Sequence, residues 1–210
     1  MRRALPQLDR LFLTDGGVET DLIFNRRIDL PFFASVMLLR TAEGEKALED
    51  YILPYLELAR RLGTGFEFVT ASWRASPDWA AKFGLSQDEH DLLNRKSVER
   101  VRALQTEYSD VPSVISGCIG PRGDGYDPGN IMTAAEAQEY HRHQMSTRAG
   151  AGADLIAALT VRNVPEAVGI ATAAKAIDVP VVISFTVGTD GRLPTGDSLR
   201  AAIEAVDEAT

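Results

Sequence analysis

A chain of 210 residues with 45% hydrophobic and 25% charged side chains suits one globular domain with a sizeable core. A net charge of −8 argues against a nucleic-acid partner, which needs a concentrated basic face. The single cysteine, Cys118, rules out an internal disulfide, and no apolar run approaches the roughly 20 residues of a membrane-crossing helix.

The N-terminal Met1-Arg2-Arg3-Ala4-Leu5-Pro6 is basic but lacks the apolar stretch of a signal peptide, so a cytoplasmic location is expected. Strand-like runs then alternate with helical ones. The predicted strands are Leu11–Thr14, Phe66–Thr70, Ser113–Gly117, Asp154–Leu159 and Val179–Thr186. Most are short, continuous apolar runs, the pattern of strands buried on both faces of a parallel sheet.

Between them, Glu43–Leu62 places Ala47, Leu48, Tyr51, Ile52, Tyr55, Leu58, Ala59 and Leu62 on one helical stripe. Ser86 with Glu89, and Thr133 with Glu136, fit capping boxes that open two further helices. Asn163 with Glu166 starts the helix that reaches Ile177, and a last helix spans about Ser198–Ala209. Glycine in the exits Leu62-Gly63-Thr64-Gly65 and Ala149-Gly150-Ala151-Gly152 supplies the left-handed turns that end helices before the second and fourth strands. Strand starts are unevenly spaced, so the chain is no fixed-period solenoid. Long loops follow the first three strands: Asp15–Thr41, Ala71–Leu85 and Cys118–Met132. Loops at the C-terminal ends of parallel strands are where such folds build their sites.

After strand one, Asp15-Gly16-Gly17 offers a carboxylate beside exposed backbone N–H groups. That suits a zwitterionic small molecule and equally suits an ordinary strand-to-loop turn. After strand two, Thr70-Ala71-Ser72-Trp73-Arg74 brings hydroxyls, an indole and a guanidinium together; Trp73 serves there as a pocket wall or as rim packing. The glycine-rich Gly117–Tyr126 segment lacks both the P-loop Lys-Ser/Thr and the GxGxxG spacing. Its Arg122-Gly123-Asp124 tripeptide is taken as coincidence. His141 and His143 lie two apart on a predicted helix, where side chains diverge by about 200°, so both are expected to be solvated, as is His90. Lys46, Lys82, Lys96 and Lys175 fall outside the strands, which speaks against a Schiff-base aldolase.

With these segments placed, the sequence resembles the homocysteine S-methyltransferase family. The matching pieces are Leu13–Thr20, Thr70–Ser76, Ser116–Pro121, Gly152–Ile156 with Pro165-Glu166-Ala167, and Val182–Thr186 followed by Asp190–Leu193. The resemblance implies a parallel (βα)₈ barrel of the TIM type that moves a methyl group from a small donor to the sulfur of homocysteine. It implies a zinc ion held by cysteine thiolates, which presents that sulfur as a thiolate. By matching position, Asp15 with the Gly16 and Gly17 backbone would hold the amino-acid end, and Thr20, Thr70 and Ser72 would line the pocket floor. Leu159 stands where many members carry Glu, and Val69 where some relatives do, so the acceptor amino acid stays open.

The family's zinc ligands are an Asn-Cys after strand six and a Gly-Gly-Cys-Cys at strand eight, and this sequence contains neither. One cysteine cannot supply three thiolates, so the chain is expected to bind no catalytic zinc and to be inactive alone. A full barrel has about 250 residues. Five βα units already use 210 here, so residues 1–210 are expected to form one incomplete barrel domain whose open edges call for further chain, an oligomer or a completing partner. Two alternatives stay beside the methyltransferase: a non-enzymatic remnant or interaction protein, and a non-thiol barrel enzyme such as a lyase with Asp15 and Glu19 as acid and base.

Overall fold

The computed structural model describes residues 5–127 and 129–209; the basic Met1-Arg2-Arg3 stretch lies outside them. Strands β1 (Phe12–Leu13), β2 (Gly65–Val69), β3 (Ser113–Ile119), β4 (Leu155–Val161) and β5 (Val181–Phe185) form one parallel sheet in the order β1-β2-β3-β4-β5. One long helix follows each strand: α1 (Ala42–Leu62), α2 (Gln87–Glu107), α3 (Ala134–Ala151), α4 (Val164–Ala176) and α5 (Leu199–Ala209). Parallel neighbours in sequence order need a crossover of the same hand every time, which puts all the helices on one face. That is the wall of a barrel, not a doubly wound sheet.

Side-chain alternation then separates two environments. On the helix side, Phe66 and Phe68 pack with Ile52, Leu56 and Ala59 of α1 and with Val98, Val101 and Leu104 of α2. A second cluster joins Ile119, Ile156, Ala158 and Val161 to Met145 of α3 and to Ala167, Ile170, Ala173 and Ala174 of α4. The intervening positions, Glu67, Val69, Cys118, Ala157, Leu159 and Val182, face the concave side and line a cavity.

Local chemistry sets the boundaries as expected. Ser86 with Glu89 and Thr133 with Glu136 form reciprocal capping boxes, and the Asn163 side chain accepts from the Glu166 N–H. Gly63 and Gly152 end their helices at φ 65° and 107°.

Several expectations change. The α1 stripe rotates slightly: Leu56 is fully buried and Leu62 is 58% exposed. β5 is not buried on both faces, because Val182 and Ser184 point to the open side. The loop after β2 contains a short helix, Pro77–Lys82, started by proline. Two of the three histidines expected in solvent are buried. His90 hydrogen-bonds the Ala75 carbonyl oxygen at 2.8 Å, and His141 meets the Glu166 carboxylate at 3.0 Å between α3 and α4. Only His143 faces outward, 2.8 Å from Asp91. Helical divergence separated His141 from His143 as argued, but it sent one of them into the core.

Candidate functional site

A cavity of about 720 Å³ opens at the C-terminal ends of the strands. The first strand end supplies its acidic side. Asp15 accepts from the Thr14 hydroxyl at 3.2 Å. Burial pushes its carboxyl up to about 6, and the nearby Tyr51 and Thr14 hydroxyls pull it back only in part. Glu19, on the turn Val18–Thr20, accepts from the Ser35 hydroxyl at 2.5 Å. Burial raises its pKa too, against the pull of Ser35 and of the Arg74 charge. Two partly desolvated carboxylates therefore share one wall.

Gly16 and Gly17 sit beside them, exposed and lining the cavity. Neither uses a positive φ, so the turn does not need glycine for its dihedral angles. Space is tight: a Cβ on Gly16 would stand 3.0 Å from the Tyr55 hydroxyl, which would have to give by a few tenths of an ångström.

The second strand end supplies hydroxyls and a cation. Thr20 and Thr70 line the cavity. Ser72 lies one layer behind it, its Oγ donating to the Cys118 carbonyl oxygen at 3.0 Å and lying 2.7 Å from Thr70 Oγ1. The Cys118 N–H donates to Thr70 Oγ1 at 2.9 Å. These two hydroxyls tie the ends of β2 and β3 together. Trp73 resolves as a cavity wall, its Nε1 donating to Thr160 Oγ1 at 3.0 Å. Thr160 reaches that position because β4 shifts register between Ala158 and Val161, leaving Thr160 at φ 59°. Gly120 passes so close that a Cβ there would lie 2.5 Å from the Trp73 carbonyl oxygen.

Two buried arginines hold this rim, and sequence reasoning overlooked both. Arg148 on α3 is fully buried and donates to Cys118 O, to Ser72 O at 3.2 Å and to Asn94 Oδ1 at 2.8 Å. Burial pushes its pKa down to about 10. Arg162, after β4, donates to the Arg122 and Asp124 carbonyls and so pins the loop after β3. Polar residues inside helices and at strand ends read as solvated surface in a sequence; nothing local marks them as core.

The family model for homocysteine S-methyltransferase matches residues 12–210. The chain belongs to the homocysteine S-methyltransferase family. Homocysteine S-methyltransferase 1 of Arabidopsis thaliana is 26% identical over 94% of this chain and 64% of its own length. The Escherichia coli homocysteine S-methyltransferase is 28% identical over 96% of this chain and 66% of its own length. The chain thus spans slightly less than two thirds of these relatives. The crystal structure of the homocysteine methyltransferase MmuM from E. coli in its oxidized form superposes with a TM-score of 0.76 at 26% identity, covering 95% of this chain and 70% of that one. A metallated form of the same enzyme gives a TM-score of 0.74 at 25% identity, over 96% and 71%. The five strands are accordingly a curled half-barrel of that α/β fold.

The family's metal chemistry does not fit the residues described here. Among them, no group of three or more His, Cys, Asp or Glu side chains could hold an ion. Cys118 is buried, and burial pushes its thiol up to about 12, the opposite of what a thiolate ligand needs.

Proposed function

We propose that this chain carries the acceptor-binding part of a homocysteine-type S-methyltransferase, acting in the cytoplasm on a small amino-acid thiol and a small methyl donor. Asp15 takes the ammonium group, the Gly16 and Gly17 backbone lies beside the carboxylate, and Thr20 and Thr70 contact the rest. Ser72 acts through Thr70. Residues 1–210 then form the first five units of one barrel domain. The observation that supports this reading is the cavity lined by Asp15, Gly16, Gly17, Thr20 and Thr70 in a chain belonging to that family. Among the described residues no helix is long and apolar enough to cross a membrane, which suits the cytoplasmic assignment.

Binding and activation separate in this reading. A thiol is mostly protonated at neutral pH and attacks a methyl donor poorly. Zinc belongs to the full-length members, and among the described residues nothing replaces the thiolates that would hold it. The 210-residue chain therefore binds its amino acid and leaves the sulfur unactivated. Calorimetry with L-homocysteine, followed by a methyl-transfer assay with S-methylmethionine and with betaine in added zinc, tests both halves. Binding that falls about tenfold or more in Asp15→Asn, with no methylated product, is expected. Absent binding removes the acceptor assignment; a methylated thiol with stoichiometric zinc removes the claim of inactivity.

One observation favours a second reading. Asp15 and Glu19 both have raised pKa values in one cavity, the arrangement of an acid–base pair, so a metal-free lyase is the alternative. Thermal shifts with non-thiol acids, and none with homocysteine, would select it.

A further inference from the structure

The bulge in β4 shapes the cavity wall rather than its own strand. Ile156 and Ala158 point to the helices, so regular alternation would send Thr160 the same way. Instead Ala158 pairs with Ile183 and Val161 with Phe185, three steps along β4 against two along β5. The extra residue gives the helix side to Val161 and turns both Leu159 and Thr160 to the cavity. Thr160 then stands at φ 59°, a left-handed conformation that is strained for a β-branched residue.

Its hydroxyl is held from both sides. It donates to the Leu159 carbonyl oxygen at 2.6 Å and accepts the indole N–H of Trp73 at 3.0 Å, the one donor that a tryptophan side chain has. Trp73 follows β2, so this bond carries the indole past the end of β3 to the end of β4. The loop after β3 meets the ring at two glycines. A Cβ on Gly120 would stand 2.9 Å from the indole Nε1, and one on Gly125 would stand 2.8 Å from Cζ2. The Arg74 guanidinium lies 4.9 Å from the ring centre.

The cavity therefore has a polar end and an apolar one. Asp15, Glu19 and the Gly16-Gly17 backbone line it after β1, and Trp73, Val69 and Leu159 line it at the ends of β2 and β4. Other carboxylates on the wall are matched by cations: Glu45 and Glu49 pair with Arg100 at 3.0 and 3.1 Å, and Asp124 pairs with Arg74 at 3.0 Å. Glu67 lies one inward position deeper on β2 than Val69. An amino acid anchored after β1 reaches the indole only through the length of its side chain. One methylene too few leaves a gap there and forfeits the burial and dispersion of that contact.

We propose that Trp73 sets the side-chain length of the acceptor, and that Thr160 is a positioning residue that holds the indole for it. The assignment rests on the acceptor-binding reading above and adds to it the choice between amino acids that differ by one methylene.

L-homocysteine and L-cysteine share an ammonium, a carboxylate and a thiol and differ by one methylene, so their ratio of affinities isolates chain length. Calorimetry on the 210-residue chain is expected to show homocysteine binding at least about tenfold tighter. Trp73→Ala and Thr160→Val are each expected to bring the ratio within about threefold. Thr160→Ser keeps the hydroxyl and is expected to keep most of the ratio. Thr160→Gly separates positioning from folding. It releases the left-handed strain that valine retains, so it is expected to melt about 2–4 °C above Thr160→Val while discriminating no better. A ratio that recovers with the melting temperature marks Thr160 as merely structural and overturns its assignment. If Thr160→Val does not fold, Thr160→Gly against the parent carries the same comparison. A ratio near one in the parent, or one unchanged in Trp73→Ala, removes the wall and leaves the acceptor assignment standing. If the parent binds neither amino acid, the acceptor reading falls and the chain-length assignment with it. The hold on the indole is read without ligand. In Trp79→Phe, which leaves Trp73 as the only tryptophan, adding Thr160→Val is expected to lower the emission anisotropy and adding Thr160→Ser to preserve it; equal anisotropy in both overturns the positioning role.

Discussion

Asp15 shows how far one side chain's chemistry depends on its surroundings. In the unfolded chain its carboxyl titrates near its ordinary value of 3.8, and in the folded chain burial raises it to about 6. The fold therefore favours the neutral form. Its contribution is fully present below the unfolded value and is lost as pH rises through about 6. Above that, the ionised carboxylate costs up to about 3 kcal/mol. Asp15→Asn is accordingly expected to be more stable than the parent at pH 7.5, by no more than that amount, and indistinguishable from it near pH 3.5. Urea unfolding at the two pH values checks this; a variant less stable at pH 7.5 contradicts it. Such a destabilising carboxylate suits a site that gains its counter-charge from a ligand. The motif Asp15-Gly16-Gly17 was legible in the sequence, but the pKa was not, because burial of the carboxyl appears only once the chain has folded.

At the scale of elements, caps and periodicity follow local rules, while buried polar contacts do not. Ser86, Thr133 and Asn163 cap their own helices from three residues away, which is why they could be read directly. Glu166 has a local role at the same cap and a long-range one. Its carboxylate accepts from the Arg122 N–H at 2.6 Å and from Asn163 Nδ2 at 3.2 Å, and meets His141 Nε2 at 3.0 Å. Burial works to raise its pKa, yet the His141 contact and the Arg122 N–H outweigh it and hold the carboxyl below its ordinary value. Glu166→Ala should strip a buried imidazole and a backbone N–H of their partner at once and cost about 3–5 kcal/mol. Denaturant unfolding measures it. A loss under 1 kcal/mol would mean that water replaces the carboxylate and that α3 and α4 do not depend on this contact.

For the whole molecule, the governing fact is an open concave face. Each helix covers the outer side of the sheet, but on the inner side Val182 is 49% exposed at the β5 edge. Val187 and Leu199 lie nearby in sequence with 41% and 37% exposed. Uncovered apolar groups beside unpaired strand edges promote association. The isolated 210-residue chain is expected to self-associate as its concentration rises, and Val182→Lys to reduce this. Light scattering across a concentration series decides the matter: a parent chain that stays monomeric throughout contradicts the expectation.

What the sequence by itself determined is everything with a short-range cause. The alternation of strand and helix, the caps, the barrel-type order and the family all follow from neighbours a few residues apart or from motifs at strand ends. Tertiary structure alone decided which polar residues became core. His90, His141, Arg148 and Arg162 carry no local mark of burial, and their partners lie 15 to 40 positions away in most cases, as with His90 and Ala75, His141 and Glu166, or Arg162 and Arg122. The same holds for Arg74, whose aromatic and hydrogen-bonding partners exist only once the loops after β1, β2 and β3 meet. Local free energies choose the elements; desolvation and distant hydrogen bonds, which appear only on packing, choose the chemistry of the site.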